Sequence, residues 1–410
     1  MIEGRTLLVQ LQQPDASWVD VGYLHHSENR NWFEFADQYW NLAARPVVGQ
    51  VFEEHGRHWR PTAHVALPRW FGHLLPEGRV REIVARAATS SGRDEYKLLA
   101  RLGADDLPGA IRTLDLDSHP LGVAPKVSDG GDIESEDPIL KFSLAGVQLK
   151  FSVFGDEKAL TVPAKGKAGN VILKFPDSRP GFSGVPESEL GSLKLAEKSG
   201  IASASGFLVR PETVSGLGEY SAGVRSRALA VHRFDRRPDD KRVHMEELAQ
   251  ILDISTAKVD AKYRSANFET VAVVMAALAG TAVVGEVIDR IVLNVLIGNG
   301  DAHLKNWAVL YPNGRTPTLA PAYDLVPTIL YLPGDNLGMN LGGTKNFSDV
   351  TVRSFDRIGA RTGYGVRNSR QRAGDAVERI MENFSIMEDY VTGEAMSRLK
   401  RYQQGLGIFA

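Results

Sequence analysis

The sequence predicts an α+β fold made of three successive units. Residues 5–60 alternate short apolar runs with turn residues, and helical patterns begin near residue 68. The stretch 114–138 is rich in Pro, Gly, Ser and Asp and lacks periodicity, which predicts a linker. A second β-rich region with one embedded helix follows, and helical patterns dominate from about residue 244. The predicted units are therefore 1–113, 139–231 and 232–410, with 114–138 between the first two.

The first unit is predicted to be a small mixed domain. Its β-like runs are TLLVQLQ, WVDVGYLHH, WFEFADQYW and PVVGQVFEE. The segment DEYKLLARLG then begins with two acidic residues and ends on Gly103, which is the pattern of a capped helix. Strands are therefore expected to precede helices in this unit.

The second unit is predicted to be a β-rich lobe. The runs LKFSLAG, QLKFSVF, KALTVPA and NVILKFP are β-like, and so are FLVRPETV, EYSAGVRS and ALAVHRF. Between these two groups, SELGSLKLAEKSGI has the apolar spacing of an amphipathic helix. One helix embedded among strands is the expected result.

The composition predicts a soluble cytoplasmic protein without membrane contact. The longest uncharged apolar run, VAVVMAALAGTAVVG (271–285), is too short to span a bilayer and predicts a core helix. The net charge of −2 gives no global attraction to nucleic acid. The chain has no cysteine, which fits a reducing compartment, and its N-terminus lacks the pattern of a signal peptide.

The segment GNGDAHLKNWAVL (298–310) carries the strongest chemical signal. It places Asp301 and Asn306 five positions apart after an apolar helical run, and Asp324 follows in PAYDLVP. Phosphoryl transfer uses one carboxylate to accept the proton of the attacking hydroxyl, and an Asn and a second carboxylate to hold Mg²⁺. The alternative is structural, with Asp301 in a loop after the helix and Asn306 as a turn former.

Lys174 is the candidate cation for nucleotide phosphates. It lies inside the apolar run NVILKFP, where a buried ammonium group needs an anionic partner. The alternative is an edge strand protected from pairing by a lysine. Glu189 at the start of the next helix is the natural acid to pair with Lys174, and Glu187 is its competitor. The structural alternative is that these acidic residues only stabilise the N-terminus of the helix.

The segment FSLAGVQLKFSV (142–153) is a candidate phosphate-binding hairpin. A turn through Ala145, Gly146 and Val147 offers backbone amides to phosphate oxygens, and Lys150 adds a charge. One glycine is a weak signature, and the segment is neither a Walker A motif nor a G-x-G-x-x-G motif.

Several blocks in order along the chain resemble the HipA family of serine/threonine-kinase toxins. These blocks are HLLPEGRVREIVAR, SLAGVQLKFS, NVILKFP, SELGSLKLAEKSGI, ALAVHRFDRR, LIGNGDAHLKNWAVL and LAPAYDLVPT. The resemblance implies a protein-kinase-like two-lobe fold with an additional N-terminal β-rich subdomain and a mostly helical C-lobe. It also implies ATP and Mg²⁺ as ligands.

The resemblance carries roles over to individual residues. Asp301 corresponds to the catalytic base, Asn306 and Asp324 to the Mg²⁺ ligands, and Lys174 to the ATP-phosphate lysine. His232 and Phe234 fall on the hinge that meets adenine, with His232 where the family pattern has Glu. Ser143 falls on the serine that the kinase phosphorylates in itself.

The resemblance also implies partners. Family members are usually encoded with a small helix-turn-helix antitoxin, HipB-like, that binds DNA and carries the toxin to its operator. The known substrates are translation-related proteins such as aminoacyl-tRNA synthetases. Nothing in the sequence selects one target.

Three further features stay open at this level. His303 is expected to hold the catalytic loop or touch a phosphate rather than bind metal, since no second close His or Cys accompanies it. Lys305 either neutralises the transferring phosphoryl group or is solvated. The six arginines between Arg353 and Arg372 form either a solvated face or a docking surface for an acidic partner or RNA.

Two other function classes compete with the protein kinase. A small-molecule phosphotransferase would share the D-x-x-x-x-N spacing and the later Asp, but it would not explain the N-terminal unit. A non-catalytic co-repressor or binding module on a kinase scaffold would not need Lys174, Asp301, Asn306 and Asp324 together.

Overall fold

The fold is seen in a computed structural model of the chain. It describes residues 4–77, 81, 94–104, 106–117, 149–163, 167–176, 181–258 and 260–409. Within these residues the chain forms, in order, a mixed unit, a β-rich lobe with one helix, and a mostly helical lobe. The last strand of the first unit runs to Asp115, and most of the predicted linker lies outside the described residues.

The first unit contains an antiparallel sheet with strand order β4-β3-β2-β1-β5. Its strands are β1 (Arg5–Gln12), β2 (Trp18–Ser27), β3 (Arg30–Phe35), β4 (Thr62–His64) and β5 (Ile111–Asp115). Its helices are α1 (Asp37–Trp40), α2 (Gln50–His55), α3 (Arg69–Gly72) and α4 (Glu95–Leu102). Alternate residues of β1 (Leu7, Val9 and Leu11) are fully buried, so one face of the sheet forms the core.

Two β-like runs of the first unit were predicted wrongly. The strand in WFEFADQYW ends at Phe35 and the rest is α1, while PVVGQVFEE contains α2 instead of a strand. The backbone N–H of Gln50, at the start of α2, donates to the Glu246 carboxylate at 3.0 Å. That partner lies 196 positions away, so no local pattern could indicate it.

The β-rich lobe contains a second antiparallel sheet, with strand order β7-β6-β8-β10-β9. Its strands are β6 (Lys150–Gly155), β7 (Leu160–Thr161), β8 (Val171–Lys174), β9 (Gly206–Val209) and β10 (Ala228–His232). The embedded helix α5 (Val185–Lys198) lies between β8 and β9 in sequence. The run EYSAGVRS forms turns instead of the predicted strand, and LKFSLAG lies outside the described residues.

Strand β8 lies in the middle of this sheet, between β6 and β10. Lys174 pairs with Leu229 on one side and with Lys150 on the other. The edge-strand explanation of Lys174 is therefore wrong, because a central strand has no free edge to protect.

The third unit combines a three-stranded sheet with helices. The sheet has the order β11-β12-β13, formed by β11 (His244–Glu247), β12 (Ala308–Tyr311) and β13 (Thr318–Leu319). The helices are α6 (Leu248–Ile251), α7 (Ala261–Arg264), α8 (Phe268–Ala279), α9 (Val284–Ile297), α10 (Asp356–Thr362), α11 (Val366–Asn383) and α12 (Gly393–Gln404).

Helix α9 lies at the centre of the helical lobe. It ends directly before the segment 298–310, which carries Asp301 and Asn306. Every residue of α9 except Glu286 is buried. The predicted single core helix over 271–285 is two helices, because Gly280 adopts φ +83° and ends α8. Gly298 at φ +68° ends α9 in the same way and turns the chain into the loop that carries Asp301. Among the described residues, no helix combines the length and apolarity that crossing a bilayer requires.

Candidate active site

Lys174 is buried at the end of β8 and contacts two carboxylates. Its Nζ atom bonds Glu189 of α5 and Asp324 of the helical lobe. Both Lys174 and Glu189 are almost fully buried, so the ammonium group keeps its charge only because the carboxylates lie beside it. Burial opposes the charged form, but the two carboxylates raise the pKa of Lys174 above its ordinary value. Glu187, the competing acid, pairs instead with Arg227 at 3.2 Å.

Asp324 joins the two lobes from the opposite side. The Nζ atom of Lys150, at the start of β6, lies 3.2 Å from Asp324 Oδ2, while Lys174 bonds Oδ1. Burial disfavours the charged carboxylate, yet the two ammonium groups lower the pKa of Asp324 below its ordinary range. Asp324 has φ +52°, a left-handed conformation that Asp tolerates better than most residues.

The loop after α9 is fixed through its backbone. Asn299 Oδ1 accepts from the Asp301 backbone N–H at 3.0 Å, and Asn306 Nδ2 donates to the Asp301 backbone carbonyl at 2.8 Å. The Asn306 amide nitrogen is thereby engaged inside the loop. The Asp301 side chain itself is 54% exposed.

His303 and Lys305 of this loop point into the protein. Burial lowers the pKa of His303 to about 4, so the imidazole is neutral. The Nζ atom of Lys305 lies 2.9 Å from Glu77 Oε1 and 3.5 Å from Glu247 Oε2. Lys305 is therefore neutralised by protein carboxylates and is not solvated, although it also lines the cleft between the lobes.

The cleft between the lobes brings most of these residues together. Its polar lining includes Lys150, Lys174, Asn306 and Asp324, and both lysines bond Asp324. Its apolar and aromatic lining includes Ile172, Val231, His232, Phe234, Met245 and Tyr323. The rings of Phe234 and Tyr323 lie 5.4 Å apart and form an aromatic part of this lining.

The chain at His232 and Phe234 is anchored to the first unit by a buried ion network. Arg233 Nη1 lies 2.5 Å from Asp106 Oδ1, and Arg233 Nη2 lies 2.8 Å from Asp235 Oδ2. Arg236 bonds the same two carboxylates. A network with every member buried and paired is rigid, so the first unit fixes this wall of the cleft.

Some predicted residues cannot be placed. Ser143, Ala145, Gly146 and Val147 lie outside the described residues. The arginine stretch 353–372 lies within the described residues. Arg370 is paired with Asp356, and Arg372 lies 2.6 Å from the buried Asp289. These two arginines therefore contribute to ion pairs within the helical lobe.

Three residues near the loop escaped the sequence reasoning. The hydroxyl of Tyr263 in α7 donates to Asp301 Oδ1, Glu77 bonds Lys305, and Glu247 also faces Lys305. Glu77 belongs to the quoted block HLLPEGRVREIVAR, which is the only sequence signal that marked it. Tyr263 had no signal, because a single Tyr in a short helix has no distinctive spacing.

Comparison with protein families covers both parts of the chain. Residues 16–114 match the family model described as the HipA N-terminal domain, and residues 142–386 match the HipA-like C-terminal domain. Among curated proteins, a candidate kinase, Y4dM, of Sinorhizobium fredii is 36% identical over 362 residues, which is 86% of this chain and 85% of that protein.

Two further similarities concern Shewanella oneidensis. Its serine/threonine-protein kinase toxin HipA is 26% identical over 292 residues, 63% of this chain and 62% of that protein. A solved structure of the complex of HipA, HipB and operator DNA contains a chain with a TM-score of 0.69 and 19% identity, covering 98% of this chain and 96% of that one. That similarity establishes the kinase-like α+β fold of the whole chain.

Proposed function

The chain belongs to the HipA family, and from that membership we propose that it is an ATP- and Mg²⁺-dependent serine/threonine-protein kinase. The observation that carries the proposal is the convergence of Lys174, Asn306 and Asp324 on one cleft, with the backbone carbonyl of Asp301 bonded to the Asn306 side chain. These groups come from three separate stretches of the chain. A purely structural role would not require them to share one cleft.

In the proposed complex the base of the nucleotide would lie against the aromatic lining of the cleft and its phosphates would lie beside the lysines. Phe234 and Tyr323 offer an aromatic surface to a purine, and Lys150 and Lys174 offer ammonium groups to phosphate oxygens. The phosphates would compete with Asp324 for these two cations. Asp301 would accept the proton of the acceptor hydroxyl as that hydroxyl attacks the terminal phosphorus, and the bond from this phosphorus to the bridging oxygen would break to release ADP.

The residues present fit a magnesium ion. Asp324 and Asn306 supply carboxylate and carboxamide oxygens, the donor types that Mg²⁺ prefers, and the Asn306 nitrogen is already engaged by the Asp301 carbonyl. Bound there, Mg²⁺ would offset the negative charge of the phosphates. Asp324 can bind the ion only after its ion pairs with Lys150 and Lys174 break. The phosphates would then replace Asp324 as the anionic partner of both ammonium groups.

We further propose that the protein is the toxin of a HipA/HipB-like pair. The similarity to a HipA chain solved with HipB and operator DNA supports a small helix-turn-helix antitoxin as partner, with DNA contacted mainly through it. The proposed target is a translation-related protein such as an aminoacyl-tRNA synthetase, and the proposed site of autophosphorylation is Ser143.

Labelled ATP tests these proposals directly. The purified protein is incubated with γ-labelled ATP and Mg²⁺, alone and with bacterial cell extract, beside an Asp301→Asn control. Labelled protein bands that the control lacks are the expected result. A labelled small molecule would indicate the small-molecule phosphotransferase instead, and an unlabelled mixture would reject both enzymes. Mass spectrometry of the active form then reports whether Ser143 is modified.

A further inference from the structure

The Asp301 carboxylate accepts a hydrogen bond from Tyr263. Within the described part of the chain, the Tyr263 hydroxyl is the one group that donates to it, and it does so at Oδ1. His303 Nε2 stands 3.8 Å from the same oxygen, beyond hydrogen-bond distance. A half-exposed Asp side chain otherwise has several rotamers within reach, so a donor fixed on Oδ1 selects one of them. Oδ2 is left to accept from an incoming hydroxyl.

The Tyr263 ring is itself held in place by His303, a residue of the same loop as Asp301. Its ring packs edge-on against His303, with the ring centroids 4.8 Å apart and the planes at 77°. His303 is buried and neutral, so it provides a rigid wall for the phenol ring. Burial and the Asp301 charge raise the pKa of Tyr263 far above its ordinary value, so its hydroxyl stays protonated and remains a donor.

The first unit clamps this arrangement through one carboxylate. Glu77 Oε2 bonds Lys262 Nζ and Glu77 Oε1 bonds Lys305 Nζ, each at 2.9 Å. Lys262 directly precedes Tyr263 in α7, and Lys305 directly precedes Asn306 in the loop. Both lysine side chains are buried or nearly so, at 11% and 3% exposure, which makes their ion pairs stronger than surface pairs.

We propose that Tyr263 is a positioning residue for the catalytic base Asp301, and that the first unit keeps Tyr263 in place through Glu77. The proposal rests on the kinase function proposed above. It gives the first unit a part in catalysis, since a residue outside both kinase lobes then controls the orientation of the base. Preorganisation of this kind affects the rate of the chemical step more than the binding of ATP.

Three variants test the proposal by their kinetics. Tyr263→Phe removes the donor and keeps the ring, and Glu77→Gln removes the charge that holds both lysines. Each should lower kcat by about 10- to 100-fold, with the KM for ATP unchanged. Since Glu77 acts through Tyr263, the double variant should be no slower than the slower single variant. Equal loss of affinity for ATP, or losses that multiply in the double variant, would overturn the proposal.

A matched control comes from the same boundary between units. Arg69 of the first unit pairs with Asp253 at 2.8 Å, and in the described part of the chain no hydrogen bond or ion pair joins either side chain to α7 or the loop. Asp253→Asn should therefore keep the wild-type kcat. If Asp253→Asn is as slow as Glu77→Gln, loosening of the boundary in general explains the loss and the specific role of Glu77 is rejected.

Hydrogen exchange separates this proposal from the kinase function. The amides of residues 299–306 should exchange several-fold faster in Tyr263→Phe and Glu77→Gln than in wild type or Asp253→Asn. Unchanged exchange in both variants overturns the positioning role whatever the activity. If the wild-type protein transfers no phosphate yet the variants show faster exchange, the kinase proposal fails and the ordering of the loop by Tyr263 and Glu77 is supported.

Discussion

Lys174 of the β-rich lobe and Asp324 of the helical lobe form a direct ion pair across the cleft. The ammonium group proposed for phosphate binding and the carboxylate proposed for metal binding therefore neutralise each other in this structure. The pair also ties one lobe to the other in the cleft. Lys174 consequently has a structural role in addition to its proposed role in nucleotide binding.

Lys174→Met should lower both ATP affinity and the stability of the fold. The substitution leaves the buried Glu189 carboxylate without its cation, and breaking a buried ion pair by removing one partner costs about 3 kcal/mol or more. This differs from the expectation for a phosphate ligand alone, which would leave stability unchanged. Calorimetry with ATP and chemical denaturation measure the two effects separately.

The combination of Lys174→Met with Glu189→Leu provides the control. Removing both members of the buried pair should restore much of the stability, since the remaining Asp324 is still paired with Lys150. ATP binding should stay weak. Recovery of ATP affinity together with stability would show that Lys174 serves the fold only.

Asp301→Asn should abolish phosphoryl transfer without harming the fold. The carboxamide retains the shape but cannot accept the proton, which should cost on the order of 100-fold or more in kcat. The side chain is half-exposed, so the midpoint of thermal unfolding should change little. Asp389→Asn, at another exposed aspartate of the same lobe, is the matched control and should keep full activity. A folded Asp301→Asn variant with near-wild-type turnover would contradict the role of the base.

The sequence could indicate the residues whose chemistry is unusual for their position. Lys174 stood out as a charge in an apolar run, and Asp301, Asn306 and Asp324 stood out by type and spacing. Tyr263 and Glu77 did not, because their contacts with the loop span 38 and 228 positions and depend on how the units pack. The same limit explains the wrong strand over PVVGQVFEE, whose helix begins at a carboxylate from the third unit.

Nucleotide binding should depend on a divalent cation. Asp324→Ala should weaken ATP binding in Mg²⁺ buffer, as EDTA should for the wild-type protein, because each removes the proposed contact between the carboxylate and the ion. Asn306→Ala should have a smaller effect in the same direction, since it removes a neutral oxygen. Titration calorimetry with and without Mg²⁺ measures these affinities for the wild-type protein and both variants. ATP binding by the wild-type protein that is equally tight in EDTA would contradict the assignment of these ligands.

Acidification should destabilise the protein through its buried histidines, and His244 isolates the effect. Its Nε2 donates to the Val48 carbonyl at 2.9 Å and its Nδ1 accepts from the Ala110 amide at 3.5 Å, so the fold binds the neutral ring. Burial lowers the pKa of His244 from 6.5 to about 4. A depressed folded-state pKa gives stability that is present above pH 6.5 and is lost as the pH falls towards 4.

Between pH 7 and pH 5 this residue should account for about 2 kcal/mol of the loss in unfolding free energy. The glutamine of His244→Gln can still donate to one backbone group, but it does not titrate. Its loss of unfolding free energy between pH 7 and pH 5 should therefore be about 2 kcal/mol smaller than that of the wild-type protein. His58→Gln, at an exposed histidine of the first unit, should show the wild-type loss. Urea unfolding of the three proteins at both pH values makes the comparison. If His244→Gln and the wild-type protein lose the same unfolding free energy between the two pH values, protonation of His244 does not cause the acid destabilisation.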